Sequence, residues 1–216
     1  MTTNASQAHR KNERLRAHRS RLSAPQIAIE QQAMRFRAQL GISDFVYLPL
    51  ELAVSSIPNC EVFGLRHVPG ITLHQLSYAR TVGYRSFGAL ARRDGETIQI
   101  VFNDAHQADS IRVNVMEEVF HILLGHRPDI LSILPVEGRH RTYDASAENE
   151  AYGCAIASLV PFSGLQGMLA RHTHIARIAE HFSVTIGVIE ERIGATDLGD
   201  LMNAQFRQMA LVPSDY

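Results

Sequence analysis

The sequence predicts an α+β fold in which a small antiparallel sheet lies between helical segments. Three observations favour this class. Apolar residues recur at helical spacing before residue 58 and again after residue 110. Between these stretches glycines are frequent, and short segments resemble strands. The sequence Arg93-Asp94-Gly95 is a strong turn signal, so the last two of these segments are predicted to form a β-hairpin.

The boundaries of the helices are indicated by proline and glycine. Pro25 and Gly41 bound the first predicted helix, Gly125 ends the one after the hairpin, and Pro161 closes the next. The predicted helices cover residues 25–40, 50–54, 110–124, 145–160, 164–171, 175–182 and 186–193. The predicted strands cover residues 61–65, 87–92 and 97–102.

Length and composition exclude several classes of protein. The chain has 216 residues, of which 45% are hydrophobic and 20% charged, as expected for a globular protein with an ordinary core. Two cysteines, Cys60 and Cys154, are too few for a disulfide scaffold or a four-cysteine zinc ribbon. No apolar run approaches the roughly 18 residues of a membrane span, and the N-terminus does not resemble a signal peptide. We therefore expect a cytoplasmic protein without membrane partners.

The charge is unevenly distributed along the chain. Residues 1–23 carry six basic residues and one glutamate, a net charge of +5, whereas the whole chain has a net charge of −1. Because this stretch has few large apolar residues, we interpret it as a disordered leader. Contact with nucleic acid or an acidic partner is the alternative.

One predicted helix carries residues suited to metal chemistry. Glu117 and His121 are four residues apart and project from the same helix face, so both can bind one ion. Glu118 lies one step round the helix, where its carboxylate can act on a water molecule instead. The arrangement is that of the metallopeptidase motif His-Glu-x-x-His with the first histidine replaced by Glu117. Taken alone, so short a pattern also fits an amphipathic helix with exposed glutamates.

Two further segments strengthen the metal interpretation. Aliphatic residues follow His121 up to Gly125 and His126, and a later helix begins with Glu148 and ends at Pro161. Together with the motif, these segments resemble the ImmA/IrrE family of metallo-endopeptidases. The resemblance covers residues 24–195 in element order and implies a gluzincin-like metallopeptidase core.

The resemblance implies Glu148 as the third metal ligand, with Tyr152 where the family has Asn or Asp. Glu150 is the rival ligand. It lies two residues beyond Glu148, about 200° round the helix, so both cannot face one ion. The spacing to Pro161 favours Glu148.

Replacing a histidine ligand by Glu117 changes the charge of the site. A divalent ion bound by Glu117, His121 and Glu148 has no formal net charge, whereas two histidines and one carboxylate leave +1. A neutral site polarises water less, and oxygen ligands favour harder ions. Zinc is the expected ion, and the oxygen donors make manganese the alternative. The activity of the site is the open question.

Three other side chains are alternates for the site. His140 precedes the second helix and can approach the metal or a substrate carbonyl. Tyr143 and Tyr152 can stabilise an oxyanion by donating from the phenol. Cys154 lies among small residues and is interpreted as a core residue, and His126 is expected to lie off the ligand face.

The last third of the chain resembles a helix-turn-helix over residues 175–193. A DNA reader displays basic residues on its second helix, but this one offers Glu190, Glu191 and a single Arg192. Packing against the peptidase core is therefore favoured, and nucleic acid is not an expected partner.

The chain is predicted to comprise three segments, and the resemblance implies a specific activity. Residues 1–23 form the leader, residues 24–168 the metallopeptidase-like domain, and residues 169–216 a helical C-terminal segment. The activity would be that of a metal-dependent endopeptidase with Glu118 as general base and strand 97–102 as the family's edge strand, which holds an extended peptide. A regulatory protein such as a transcriptional repressor is the expected substrate. The alternative is a catalytically weak or inactive regulator of the same fold that acts by protein binding.

Overall fold

A computed structural model describes residues 22–81, 87–126 and 144–202 of the chain. These residues form an α+β fold, which confirms the predicted class. Nearly all of the predicted leader lies outside the described residues, as do His140 and Tyr143. In chain order the elements are α1 (Ala24–Gln39), α2 (Leu50–Ser55), β1 (Cys60–Gly64), a 3₁₀ turn (Leu65–His67), α3 (Leu73–Arg80), β2 (Ala89–Asp94), β3 (Thr97–Phe102), α4 (Ala108–Leu123), α5 (Ala145–Leu159), α6 (Phe162–Leu169), α7 (Ile175–Phe182) and α8 (Ile186–Ala195).

The described sheet is mixed rather than antiparallel throughout. Its strand order is β1-β3-β2, and β2 pairs with β3 as the predicted antiparallel hairpin. β1 instead runs parallel to β3, with Val62 opposite Ile100. Parallel neighbours need a crossover connection. The connection from β1 to β3 contains the 3₁₀ turn, α3 and β2, and the antiparallel β2 returns the chain to the start of β3.

The helix α3 was missed by the periodicity of the sequence, although a local signal was present. Its first turn carries a capping box, in which the side chain of Thr72 accepts from the backbone N–H of Gln75. The Gln75 side chain in turn accepts from the backbone N–H of Thr72. Thr-x-x-Gln before Leu76 is therefore the pattern that marks this helix.

The central position of β3 corrects the expectation that strand 97–102 is the sheet edge that holds a peptide. Both sides of β3 are already paired, by β1 and by β2. β2 lies at an edge of the described sheet and packs against α4. Edge backbone near the motif helix is therefore supplied by β2.

The helices surround one main apolar core. Phe36 of α1 packs edge-on against Phe120 of α4, with ring centroids 5.2 Å apart. Ile178, Phe182 and Ile189 of α7 and α8 are fully buried in the same core. The C-terminal helices thus pack on the domain that carries α4 and α5, as the charge of α8 suggested.

Two buried arginines bind the C-terminal end of α5, where carbonyl groups lack partners within the helix. Arg37 of α1 donates to the carbonyl of Ser158 over 2.7 Å, and Arg192 of α8 donates to that of Val160 over 3.0 Å. Arg192 also forms a two-pronged ion pair with Glu30 of α1, at 2.7 and 3.0 Å. These bonds fix the positions of α1, α5 and α8 relative to one another.

A helix that crosses a membrane must be both long and predominantly apolar. In the parts of the chain that the structure describes, no single helix meets both requirements. The consecutive helices α5 and α6, which are bent by 52°, meet them only when taken together.

Candidate metal centre

The candidate metal centre lies where α4 and α5 pack side by side. Ala151 and Ala155 of α5 are fully buried in the shared core, as is Met116 of α4. Small side chains let two helices approach closely, because the distance between helix axes depends on the residues at the contact. Polar side chains on the facing surfaces of the two helices can therefore meet.

Three of the predicted site residues are brought together there. One donor atom each from Glu117, His121 and Glu148 lies within 4.8 Å of the other two. The Nε2 atom of His121 lies 3.6 Å from a carboxylate oxygen of Glu148. All three side chains are partly buried.

The chemistry of this donor set fits a divalent cation. One imidazole nitrogen and two carboxylate oxygens are ligands that zinc and manganese both accept. The 3.6 Å separation suits two donors that share an ion through bonds of about 2.0–2.2 Å in tetrahedral geometry. A cation also offsets the cost of holding two partly buried carboxylates close together. Glu117, His121 and Glu148 are therefore the residues that could hold the metal.

Glu148 is positioned by the start of α5. The side chain of Asp144 accepts from the backbone N–H groups of Ser146 and Ala147, at 3.0 and 3.3 Å, and so caps the helix. This cap fixes Glu148 in the first turn, where the helix dipole also favours a negative charge.

Glu118 lies apart from the three candidate ligands. Its side chain is buried, and one carboxylate oxygen accepts the backbone N–H of Ala91 in β2 over 2.8 Å. Along an antiparallel strand, residues alternately direct their backbone N–H and C=O groups toward the partner strand and away from it. The carbonyl of Gly88 accepts from the N–H of Asn103, at the end of β3, so Gly88 faces the partner strand and Ala91, three residues on, faces away. The N–H of Ala91 therefore points away from β3, and the bond ties Glu118 to the β2 edge of the described sheet.

Glu150, the rival ligand, occupies a different place. Its carboxylate lies 3.4 Å from Nε2 of His126, and about half of its side chain is exposed. The structure thus groups Glu148, rather than Glu150, with Glu117 and His121. The two carboxylates thus lie in different places, as their separation of about 200° round α5 requires.

His126 lies beside the candidate ligand His121, a position that the sequence did not predict. Nδ1 of His126 is 3.0 Å from Nδ1 of His121, and the rings meet edge-on. The cause is the end of α4, where Gly125 takes a positive φ of 71°. The N–H of Gly125 bonds to the carbonyl of Ile122, and the N–H of His126 bonds back to that of His121. A glycine at the end of a helix is the sequence signal that could have indicated this reversal of the chain, which brings His126 back toward His121.

Tyr152 lies one helical turn beyond Glu148, and its phenol forms a hydrogen bond to a different helix. The hydroxyl donates to a carboxylate oxygen of Glu191 in α8 over 2.8 Å. Burial raises the pKa of Tyr152, and the Glu191 hydrogen bond and the negative charges of Glu191 and Glu117 raise it further. The phenol is neutral at ordinary pH and links α5 to α8. The proposed roles of His140 and Tyr143 fall outside the described residues.

Neither cysteine is suited to act as a nucleophile. Cys154 is fully buried, and burial raises its pKa to about 12, with smaller contributions from the charges of Glu150 and Glu30. Burial also raises the pKa of Cys60. Because the thiolate is the reactive form, these shifts disfavour nucleophilic reaction at both thiols.

Comparison with known families agrees with this geometry. The sequence profile of Peptidase_M78, described as the IrrE N-terminal-like domain, matches residues 70–194. The match covers more than half of the chain and includes all three candidate ligands. The chain belongs to the Peptidase_M78 family. Searches of curated proteins and of solved structures found no match.

Membership in Peptidase_M78 indicates a metallopeptidase-type domain and confirms the resemblance drawn from the sequence. The matched region begins at residue 70, so α1, α2 and β1 lie before it. These elements still contribute to the site, because β1 completes the sheet and α1 packs against α5.

Proposed function

We propose that this Peptidase_M78 protein is a metal-dependent endopeptidase that acts on a regulatory protein, such as a transcriptional repressor. The observation that carries the proposal is the convergence of Glu117, His121 and Glu148 from two helices. Glu118 directly follows Glu117 in the sequence, and its carboxylate accepts the backbone N–H of Ala91 at the sheet edge.

The role that we propose for each group follows from its position. A divalent cation, when bound, polarises the scissile carbonyl and lowers the pKa of water. Glu118 accepts the proton of the attacking water and passes it to the leaving amine. The other outward backbone groups of β2 align an extended peptide by strand addition. The bond from Ala91 keeps the Glu118 carboxylate at this edge.

Metal binding by the three side chains is the first test. We expect the His121→Ala protein to lose zinc affinity by more than about 100-fold, because loss of a ligand exceeds the 10- to 100-fold effect of losing a ligand's partner. Competition with a chromophoric chelator measures the dissociation constant for zinc and for manganese. Glu190→Ala, an exposed site on α8, is the control and should bind like the wild type. Equal affinity in His121→Ala would contradict the proposed site.

The charge of the site predicts its metal preference. Glu117→His exchanges an oxygen donor for a nitrogen donor and leaves a bound divalent site with a formal charge of +1. We expect the ratio of zinc to manganese affinity to rise by about tenfold or more, equivalent to about 1.4 kcal/mol. Hydrolysis by the zinc-loaded protein should rise as well, because a more positive site polarises water more strongly. An unchanged ratio would show that Glu117 does not bind the ion.

A catalytically weak regulator is the second candidate function. It is favoured by one observation, the replacement of the motif's first histidine by Glu117, which leaves the bound site without net charge. Such a protein would retain the metal and act by binding a partner. We place either activity in the cytoplasm, because both cysteines are free thiols.

A further inference from the structure

A line of three polar side chains leads away from the candidate metal centre. His121 contacts His126 through the two Nδ1 atoms, at 3.0 Å. His126 contacts Glu150 through Nε2, at 3.4 Å. The two imidazole side chains are only 12% and 16% exposed, whereas Glu150 is 49% exposed. The line therefore runs from the site to the surface of α5.

The hydrogen-bond requirements of this line select one arrangement of protons. His121 faces Glu148 with Nε2, so binding of a metal there leaves the proton of His121 on Nδ1. That N–H then donates to Nδ1 of His126. The proton of a neutral His126 consequently lies on Nε2, the atom that faces the carboxylate of Glu150. Each donor then has an acceptor.

The opposite arrangement is unfavourable. If His126 donated from Nδ1, a neutral ring would have a bare Nε2 atom facing the Glu150 carboxylate. Two lone pairs would then meet at 3.4 Å. The geometry thus selects one of the two tautomers of a neutral His126.

We propose that His126 and Glu150 are positioning residues for the metal ligand His121. His126 holds the His121 ring in the orientation and tautomer that present Nε2 to the metal, and Glu150 holds His126 in turn. The proposal rests on the proposed function, since it takes His121 as a ligand. Partners of this kind fix ring orientation and raise the basicity of a ligating histidine.

The local fold supports this role for His126. The turn at Gly125 reverses the chain, so the backbone N–H of His126 bonds to the carbonyl of His121. The two imidazole rings are in contact as well. Both histidines are thus held through main chain and side chain. Glu150 reaches the pair from α5, the helix that also supplies Glu148.

Zinc affinity of the full-length protein, measured by chelator competition, tests the proposal. We expect His126→Ala to weaken zinc binding by about 10- to 100-fold. His126→Asn should stay within about threefold of the wild type, because the Asn Oδ1 atom can accept in place of Nδ1. Glu150→Gln, which keeps an acceptor, should have a smaller effect than His126→Ala. His74→Ala, at an exposed position on α3, is the matched control.

A second readout requires no substitution. Long-range ¹H–¹⁵N spectra of the zinc-loaded wild type report the tautomer of each histidine ring. We expect the protons on Nδ1 of His121 and on Nε2 of His126. The reverse tautomer of His126 would overturn the proposal even if the variants failed to fold.

The outcomes separate this inference from the proposed function. If the wild type binds zinc and His126→Ala binds it equally well, the positioning role is wrong and the metal site stands. Equal losses in His126→Ala and His126→Asn would also overturn it, because the acceptor would then not matter. If the wild type binds no zinc or manganese, the proposed metal site fails and this inference fails with it.

Discussion

Glu118→Gln is expected to lower peptide hydrolysis by about 10²- to 10⁴-fold, the contribution of a positioned general base. An amide cannot take the proton of the attacking water. Its oxygen can still accept from the backbone N–H of Ala91, so the buried contact with β2 is retained. Metal affinity should stay within about twofold, since Glu118 is not among the three candidate ligands.

The measurement is cleavage of a proteome-derived peptide library by the zinc-loaded protein, followed by mass spectrometry. Glu190→Gln makes the same chemical change at an exposed position of α8 and should leave cleavage unchanged. Cleavage by Glu118→Gln at the wild-type rate would show that another group is the base. A wild type that binds metal but cleaves nothing would favour the regulator that acts by binding.

The candidate metal centre could be predicted from the sequence because its geometry is mostly local. Glu117 and His121 are neighbours on any α-helix, and Asp144 marks the start of α5 and thereby the place of Glu148. The bounds of α4 and α5 were predicted to within two residues. The packing of α4 against α5 is the long-range part of this geometry. It was expected from the family resemblance and could not be derived from the local pattern of residues.

The sheet could not be predicted to the same extent. The hairpin of β2 and β3 is fixed by its own turn at Gly95, a local feature. The pairing of β1 with β3 joins Cys60 to Ile98 in register, almost forty positions along the chain. No local pattern specifies such a partner or its direction. The expected edge strand was therefore assigned to β3, although β2 occupies that edge.

His126 shows a different limit of sequence reasoning. Helical angles place a residue correctly only while the helix continues. Gly125 takes a left-handed conformation, which reverses the chain and brings His126 back over the last turn of α4. Its contact with His121 thus depends on how the helix ends rather than on the helical period.

Arg192→Ala is expected to destabilise the fold by about 3–5 kcal/mol, the range found when one partner of a buried ion pair is removed. Arg192 is fully buried, and its loss leaves the carboxylate of Glu30, only 7% exposed, without its cation. The carbonyl of Val160 loses its donor as well. At about 2–4 °C per kcal/mol for a chain of this size, the melting temperature should fall by roughly 10 °C. Thermal unfolding followed by circular dichroism measures the change.

Two variants distinguish the charge from the packing. Arg177→Ala removes an arginine that is 74% exposed and pairs with Glu180 on the surface, so it should change stability by less than about 1 kcal/mol. The double variant Glu30→Gln with Arg192→Met should recover most of the stability lost in Arg192→Ala, because no buried charge remains. If Arg192→Ala melted like Arg177→Ala, the ion pair would not hold α8 to α1. If the double variant were as unstable as Arg192→Ala, the loss would come from the missing bond to Val160 and from packing rather than from the stranded carboxylate.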